Sequence, residues 1–195
     1  MTEREPLAQV NVPCGMANGV PMLAVYQIDT TGKVIVPLDP REAKITSARI
    51  ETGLPVITGS DAMAAVAMNS IDSEKFPNVI AAVRLIEAFG KSPMVGLVDF
   101  RRVDVSAPNV LAVTTGQGAQ ITFSRVNFEQ QLRRWREIYE YGKRTNRGDI
   151  ASVDLAVANN VPVRWTLASA NPVPPPLVKP RPAQPNNQKY RRRNV

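Results

Sequence analysis

Residues 118–165 read GAQITFSRVNFEQQLRRWREIYEYGKRTNRGDIASVDLAVANNVPVRW, and they resolve into strand, helix, strand, turn and final strand. Along residues 119–126, Ile121 and Phe123 fall on one side and Thr122 and Ser124 on the other, the period of a half-buried strand. Asn127 then offers an N-cap oxygen to the first-turn amides, with Gln130 following in the capping-box position. Phe128, Leu132, Trp135, Ile138 and Tyr139 recur at helical spacing, while Gln131, Arg133, Arg134, Arg136, Glu137 and Glu140 fill the other side. That pattern predicts one apolar stripe laid on a sheet. Gly142 and the polar run to Asp149 are expected to close the helix and leave a solvated loop.

The last two strands are registered by their chemistry. With only Asn159 and Asn160 in the turn, Leu155 faces Arg164 and Asp154 faces Trp165, which mixes charge into an apolar face. A three-residue loop of Ala158, Asn159 and Asn160 instead pairs Val157 with Val161, Leu155 with Val163 and Val153 with Trp165. It asks for a left-handed residue at its end, which Asn160 tolerates. This second register is the expectation. Pro162 has no amide to give, so the final strand is expected at a sheet edge.

Composition removes whole classes of function. There is no histidine and one cysteine, Cys14; an intrachain disulfide is excluded, and hydrolase triads and Cys/His zinc sites lose their ligands. No apolar run approaches the roughly 18 residues of a membrane span, and no signal-peptide pattern opens the chain. The net charge of +7 is uneven: six of the 24 basic residues lie beyond residue 169 with no acidic neighbour, leaving 18 basic against 17 acidic before them. A nearly neutral body argues against a broad phosphate-binding face.

Taken in order, residues 1–10 resemble the end of a strand, and residues 11–21 read as a Gly/Pro/Asn loop. Residues 22–29 and 33–38 flank the turn Thr30-Thr31-Gly32 as a hairpin, residues 45–51 add a short strand, and residues 52–59 form a short buried extended segment. Helices are expected at 61–68, capped by Ser60 or Asp61, and at 73–89, ended by Gly90; strands follow at 94–106 and 110–115, joined by Gly116-Gln117-Gly118 to the decisive stretch. From residue 168 onward the chain is Pro-rich and basic, a composition expected to stay disordered. The fold class is therefore α+β: a largely antiparallel sheet with two main helices packed on it, ending in an edge hairpin.

Several ordered pieces resemble the extracytoplasmic β domain of the FtsQ/DivIB family of bacterial cell-division proteins. Residues 3–10 resemble its EREPvA strand end, residues 28–34 its D-x-x-G-x-V hairpin and residues 54–59 its LP-x-L-x-G segment. Residues 115–124 resemble its Gly-containing hairpin, and residues 153–155 with 161–165 its closing (V/I)-D-L-R…V-x-W hairpin. The resemblance divides the chain into a remnant of the last POTRA strand at 1–10, an FtsQ-like β domain at 11–168 and the tail at 169–195. It implies a non-enzymatic single-pass protein of the inner membrane, with this domain on the periplasmic side at the division site. The membrane helix and nearly all of the POTRA domain are not in this sequence, so a truncated chain or a late start is expected.

The resemblance also implies partners, namely small coiled-coil division proteins of the FtsB/DivIC and FtsL types, the former adding a strand to the terminal strand. Val157, Asn160, Val161, Pro162, Val163, Arg164, Trp165 and Thr166 are the expected partner-binding residues. In the register above, Val161, Val163 and Trp165 bond inward, and Pro162, Arg164 and Thr166 face the partner, whose ladder starts at the Pro162 carbonyl. Ala156, Val157 and Asn160 stand where the family has Arg, an aromatic residue and Gly, so side-chain contacts at 156 and 157 do not carry over. Arg101 and Arg102 are weighed as a partner surface against a solvated pair. No catalytic residue, cofactor or metal ligand is expected. The rival reading is a polyanion or nucleic-acid binder working through the basic tail.

Overall fold

The strand read from residues 119–126 stands, among the described residues, within a ten-stranded sheet. A computed structural model of the protein describes residues 5–17, 19–35, 44–46, 53–68, 71 and 74–166. The strands are β1 (Pro6–Ala17), β2 (Val20–Asp29), β3 (Val34–Ile35), β4 (Lys44–Thr46), β5 (Val56–Thr58), β6 (Phe100–Asp104), β7 (Val110–Thr115), β8 (Gln120–Ser124), β9 (Ile150–Asp154) and β10 (Val163–Trp165). The helices are α1 (Ser60–Ala67), α2 (Pro77–Gly90) and α3 (Phe128–Thr145). Sheet order is β10-β9-β8-β7-β6-β5-β1-β2-β3, with β4 also on β2.

Two parallel crossovers decide where the helices lie. β5 reaches β6 through α1 and α2, and β8 reaches its parallel neighbour β9 through α3. Both steps run in the same direction along the sheet, and such crossovers are right-handed, so all three helices fall on one face. There α2 touches both α1 and α3. Beneath them a row of buried side chains runs strand to strand in register: Val10, Ile57, Val103, Val113, Ile121 and Val153. Each such residue contributes about 1.5–3 kcal/mol of burial before entropy is counted. Trp135 of α3 closes the core, edge-on to Phe123 at 6.0 Å and stacked on Phe100 at 6.1 Å.

The α+β class, the two main helices and the edge hairpin match the reading from sequence; several local expectations do not. Residues 11–17 are strand, not loop, and the two long strands meet as far out as Ala17 and Val20. Their turn residues are absorbed by a bulge between Pro13 and Gly15, and β1 meets β5 only at Gln9 and Val10, so the missing Pro13 amide breaks no ladder there. Strand β6 begins at Phe100 and not at residue 94, because Ser92, Pro93 and Gly96 (φ 79°) turn the chain first. Helix α2 begins at Pro77, with proline at its first turn. Gly59, not Ser60 or Asp61, precedes α1 as its N-cap.

Both ends of α3 differ from expectation. Asn127 takes a left-handed conformation (φ 56°) and makes no capping bond. The helix passes through Gly142, which is buried, and ends at Thr145 before a left-handed Asn146. Expected features at residues 36–38, 47–52 and 73, and the tail, lie outside the described residues.

The terminal open edge

Strand β10 occupies one end of the sheet order, and among the described residues nothing pairs with its outer side. Its register differs from the expectation by two residues: Val163 lies opposite Val153, not Leu155, and Arg164 lies opposite Ser152. The connection is correspondingly the eight residues 155–162 and not a three-residue turn. Asn160 does adopt the left-handed conformation expected of it, at φ 52°. A bulge at Ala151 then sets Trp165 opposite Ile150.

The backbone directions are the reverse of those expected. Leu155 gives its amide to Thr122 of β8 at 2.8 Å, so the alternation along β9 turns Val153 and Leu155 toward β8 and Ser152 and Asp154 toward β10. Asp154 accordingly donates its amide to the carbonyl of Pro162 at 3.1 Å, and Thr166 donates its own to Asp149 at 2.7 Å. Pro162, Arg164 and Thr166 therefore face inward, and Val163 and Trp165 turn their amides and carbonyls to the open edge. Sequence could not supply this parity, since it does not say which side of β9 is held by β8.

Side chains follow the same alternation. Val163 and Trp165 lie on the helix side, where with Val161 they line a shallow groove against Ile138 and Tyr141 of α3, rimmed by Glu137, Arg144 and Arg147. Arg164 is exposed on the opposite face. Val157 and Asn160 are exposed in the connection, whose Val157 carbonyl accepts from Arg134 at 2.9 Å. Thr166 is clasped twice more, its hydroxyl accepting from the Asp149 amide and donating to the Asp149 carbonyl, both at 3.0 Å. Arg101 and Arg102 are exposed on β6, four strands from this edge, and are not part of it.

Two residues of α3 were read differently from sequence. Gln131, assigned to the solvent side of α3, is 5% exposed. Its carbonyl accepts from the Ser124 amide at 2.9 Å, and its amide nitrogen donates to the Ser124 hydroxyl at 2.9 Å and the Val126 carbonyl at 2.6 Å. These bonds fasten the helix to the end of β8 and its connection, a different task from the capping of first-turn amides expected of Asn127. Gly142, taken as a helix stop, lies directly under the indole of Trp165. Nearby, the side-chain hydrogen bond from Lys143 to Asp149 at 3.2 Å holds the Lys143 ammonium above its ordinary pKa.

Fold and edge together define an α+β domain whose last described strand, beside a helix, has an outer side that no described residue pairs with. The chain belongs to the FtsQ/DivIB family: the family model described as "Cell division protein FtsQ/DivIB, C-terminal" matches residues 22–156. This is a family of non-enzymatic, membrane-anchored division proteins with a periplasmic domain. The match stops short of β10. A search of curated proteins found no match to the chain. No helix among the described residues is long and apolar enough to cross a membrane.

Proposed function

We propose that this domain serves cell division as a scaffold that accepts a β-strand on the outer edge of β10. The donor is a small coiled-coil protein of the FtsB/DivIC type, accompanied by one of the FtsL type. The carrying observation is the outward backbone of Val163 and Trp165 at an edge that nothing described covers. Four main-chain groups stand ready there, each worth about 0.5–1.5 kcal/mol net when paired, and the groove floor of Ile138, Val161 and Val163 takes apolar side chains from the donor. Edge proline and charge are also means of keeping a strand from unwanted pairing; here Pro162 lies inside the connection, and its missing amide is not one that the outer edge uses.

In this reading the domain is periplasmic and held at the inner membrane by an upstream helix, and β1, whose Ala8 and Val10 lie in this domain's core, is counted with it. Titrating the full chain with the extracytoplasmic region of its own FtsB/DivIC-like protein tests the assignment. New amide protection confined to Val163 and Trp165 is the expected result; binding that leaves these amides unchanged would overturn it. The rival reading rests on the six basic residues beyond residue 169. Deleting residues 170–195 separates the two, since salt-sensitive polyanion binding disappears with the tail while strand acceptance survives.

A further inference from the structure

An interior helical glycine is unfavourable: it costs more backbone entropy than alanine and gives nothing to pack. Gly142 sits in the last turns of α3 and is buried. Adding a Cβ there would place it 2.6 Å from Cη2 of Trp165 and closer still to Cζ3, a separation that real side chains do not tolerate. The indole is thus laid on the helix backbone itself, through a gap one side chain wide.

We propose that Gly142 is a positioning residue for the terminal strand: the notch takes up the Trp165 indole and leaves the outer backbone of Val163 and Trp165 uncovered. The functional half of this rests on the strand-acceptance reading above. Without the notch the ring has to go elsewhere. The next residue, Thr166, is fixed to Asp149 by three hydrogen bonds, so the strand cannot simply retreat from α3. A side chain at 142 would instead turn the indole toward the mouth of the groove, among Tyr141, Arg144 and Arg147. There it would occupy the space beside the edge that a partner's side chains need.

A reversal of sign tests the notch. In the full chain, Gly142→Ala lowers the melting temperature, although alanine is the better helix former. In a Trp165→Ala background the same substitution raises it. The indole resonance of Trp165, read beside that of buried Trp135, shifts in Gly142→Ala. Binding to the extracytoplasmic region of the FtsB/DivIC-like protein falls at least tenfold, measured at a temperature where the variant remains folded. If Gly142→Ala raises the melting temperature with Trp165 present, or leaves the Trp165 resonance in place, the notch is refuted. If the variant binds the probe as tightly as the unmodified chain does, the positioning role is refuted. If the unmodified chain does not bind the probe, strand acceptance fails, whereas the reversal of sign still decides whether the notch seats the strand.

Discussion

The amide of Asp154 donates to the carbonyl of Pro162 across 3.1 Å, and every backbone group on the terminal strand takes its direction from that bond. Pro162 has no hydrogen to return, so its pairing with Asp154 is one-sided. The next reciprocal pair on β10 is Arg164 with Ser152. In the free protein, the amides of Arg164 and Thr166 are expected to exchange slowly and those of Val163 and Trp165 quickly. Residue-resolved hydrogen exchange reads this directly, and the opposite order would restore the register expected from sequence.

A pair of proline substitutions distinguishes the two sides of the same strand. Val163→Pro removes an outward amide that no described residue uses, so it should change stability by less than about 1 kcal/mol while weakening partner binding at least tenfold. Arg164→Pro removes an inward amide and should destabilise the hairpin by about 2 kcal/mol or more. Urea denaturation and partner titration on both variants give the comparison. Equal stability losses would mean that β10 has no preferred side.

Gln131 holds the β8–α3 connection through Ser124 and Val126. Gln131→Ala leaves the Ser124 amide and the Val126 carbonyl without this partner in a half-buried place. The expected loss is about 2–3 kcal/mol, measured by chemical denaturation. Gln130→Ala, at the exposed capping-box position, should change little.

Lys143 stands beside the Thr166 clasp through Asp149. Its pKa lies above the ordinary 10.5, chiefly because of the hydrogen bond to the Asp149 carboxylate. A raised folded value means that the contribution is fully present below the unfolded value and is lost as pH rises through the folded one. The pair is exposed, so the effect is small. Urea midpoints of the unmodified chain and Lys143→Met should differ near neutrality and converge in strong alkali; a gap that widens with pH would contradict the assignment.

The sheet's core row and the stripe of α3 were legible because periodicity reports burial. Ile121 and Phe123 alternate with Thr122 and Ser124, and Leu132 and Trp135 recur at helical spacing; all four apolar residues are buried. What periodicity does not report is which neighbour a strand acquires. The reversed parity of β10 follows from the bond between Leu155 and Thr122, residues far apart in sequence, and the two-residue shift goes with the longer connection 155–162. The same limit explains Gly142 and Gln131: a glycine after an apolar stripe resembles a stop, and a glutamine among arginines resembles surface. Only a long-range contact or a buried loop gives either its place. Residues 11–17 misled for a local reason, since Pro13 and Gly15 are loop residues by composition yet fit a bulged strand with a free side.

Strand β5 is three residues long and parallel to both its neighbours, and its joint with β1 has only two register pairs, Gln9 with Val56 and Val10 with Ile57. Among the described residues that joint is the only backbone ladder linking β1–β4 to the strands from β5 to β10. A pull applied between the first strand and the last is therefore carried through it and through the helices packed across it. Under tension the sheet should part there first, leaving the edge beyond β9 whole. A partner bound at β10 would then still be held by an intact half-domain after the other half had begun to yield.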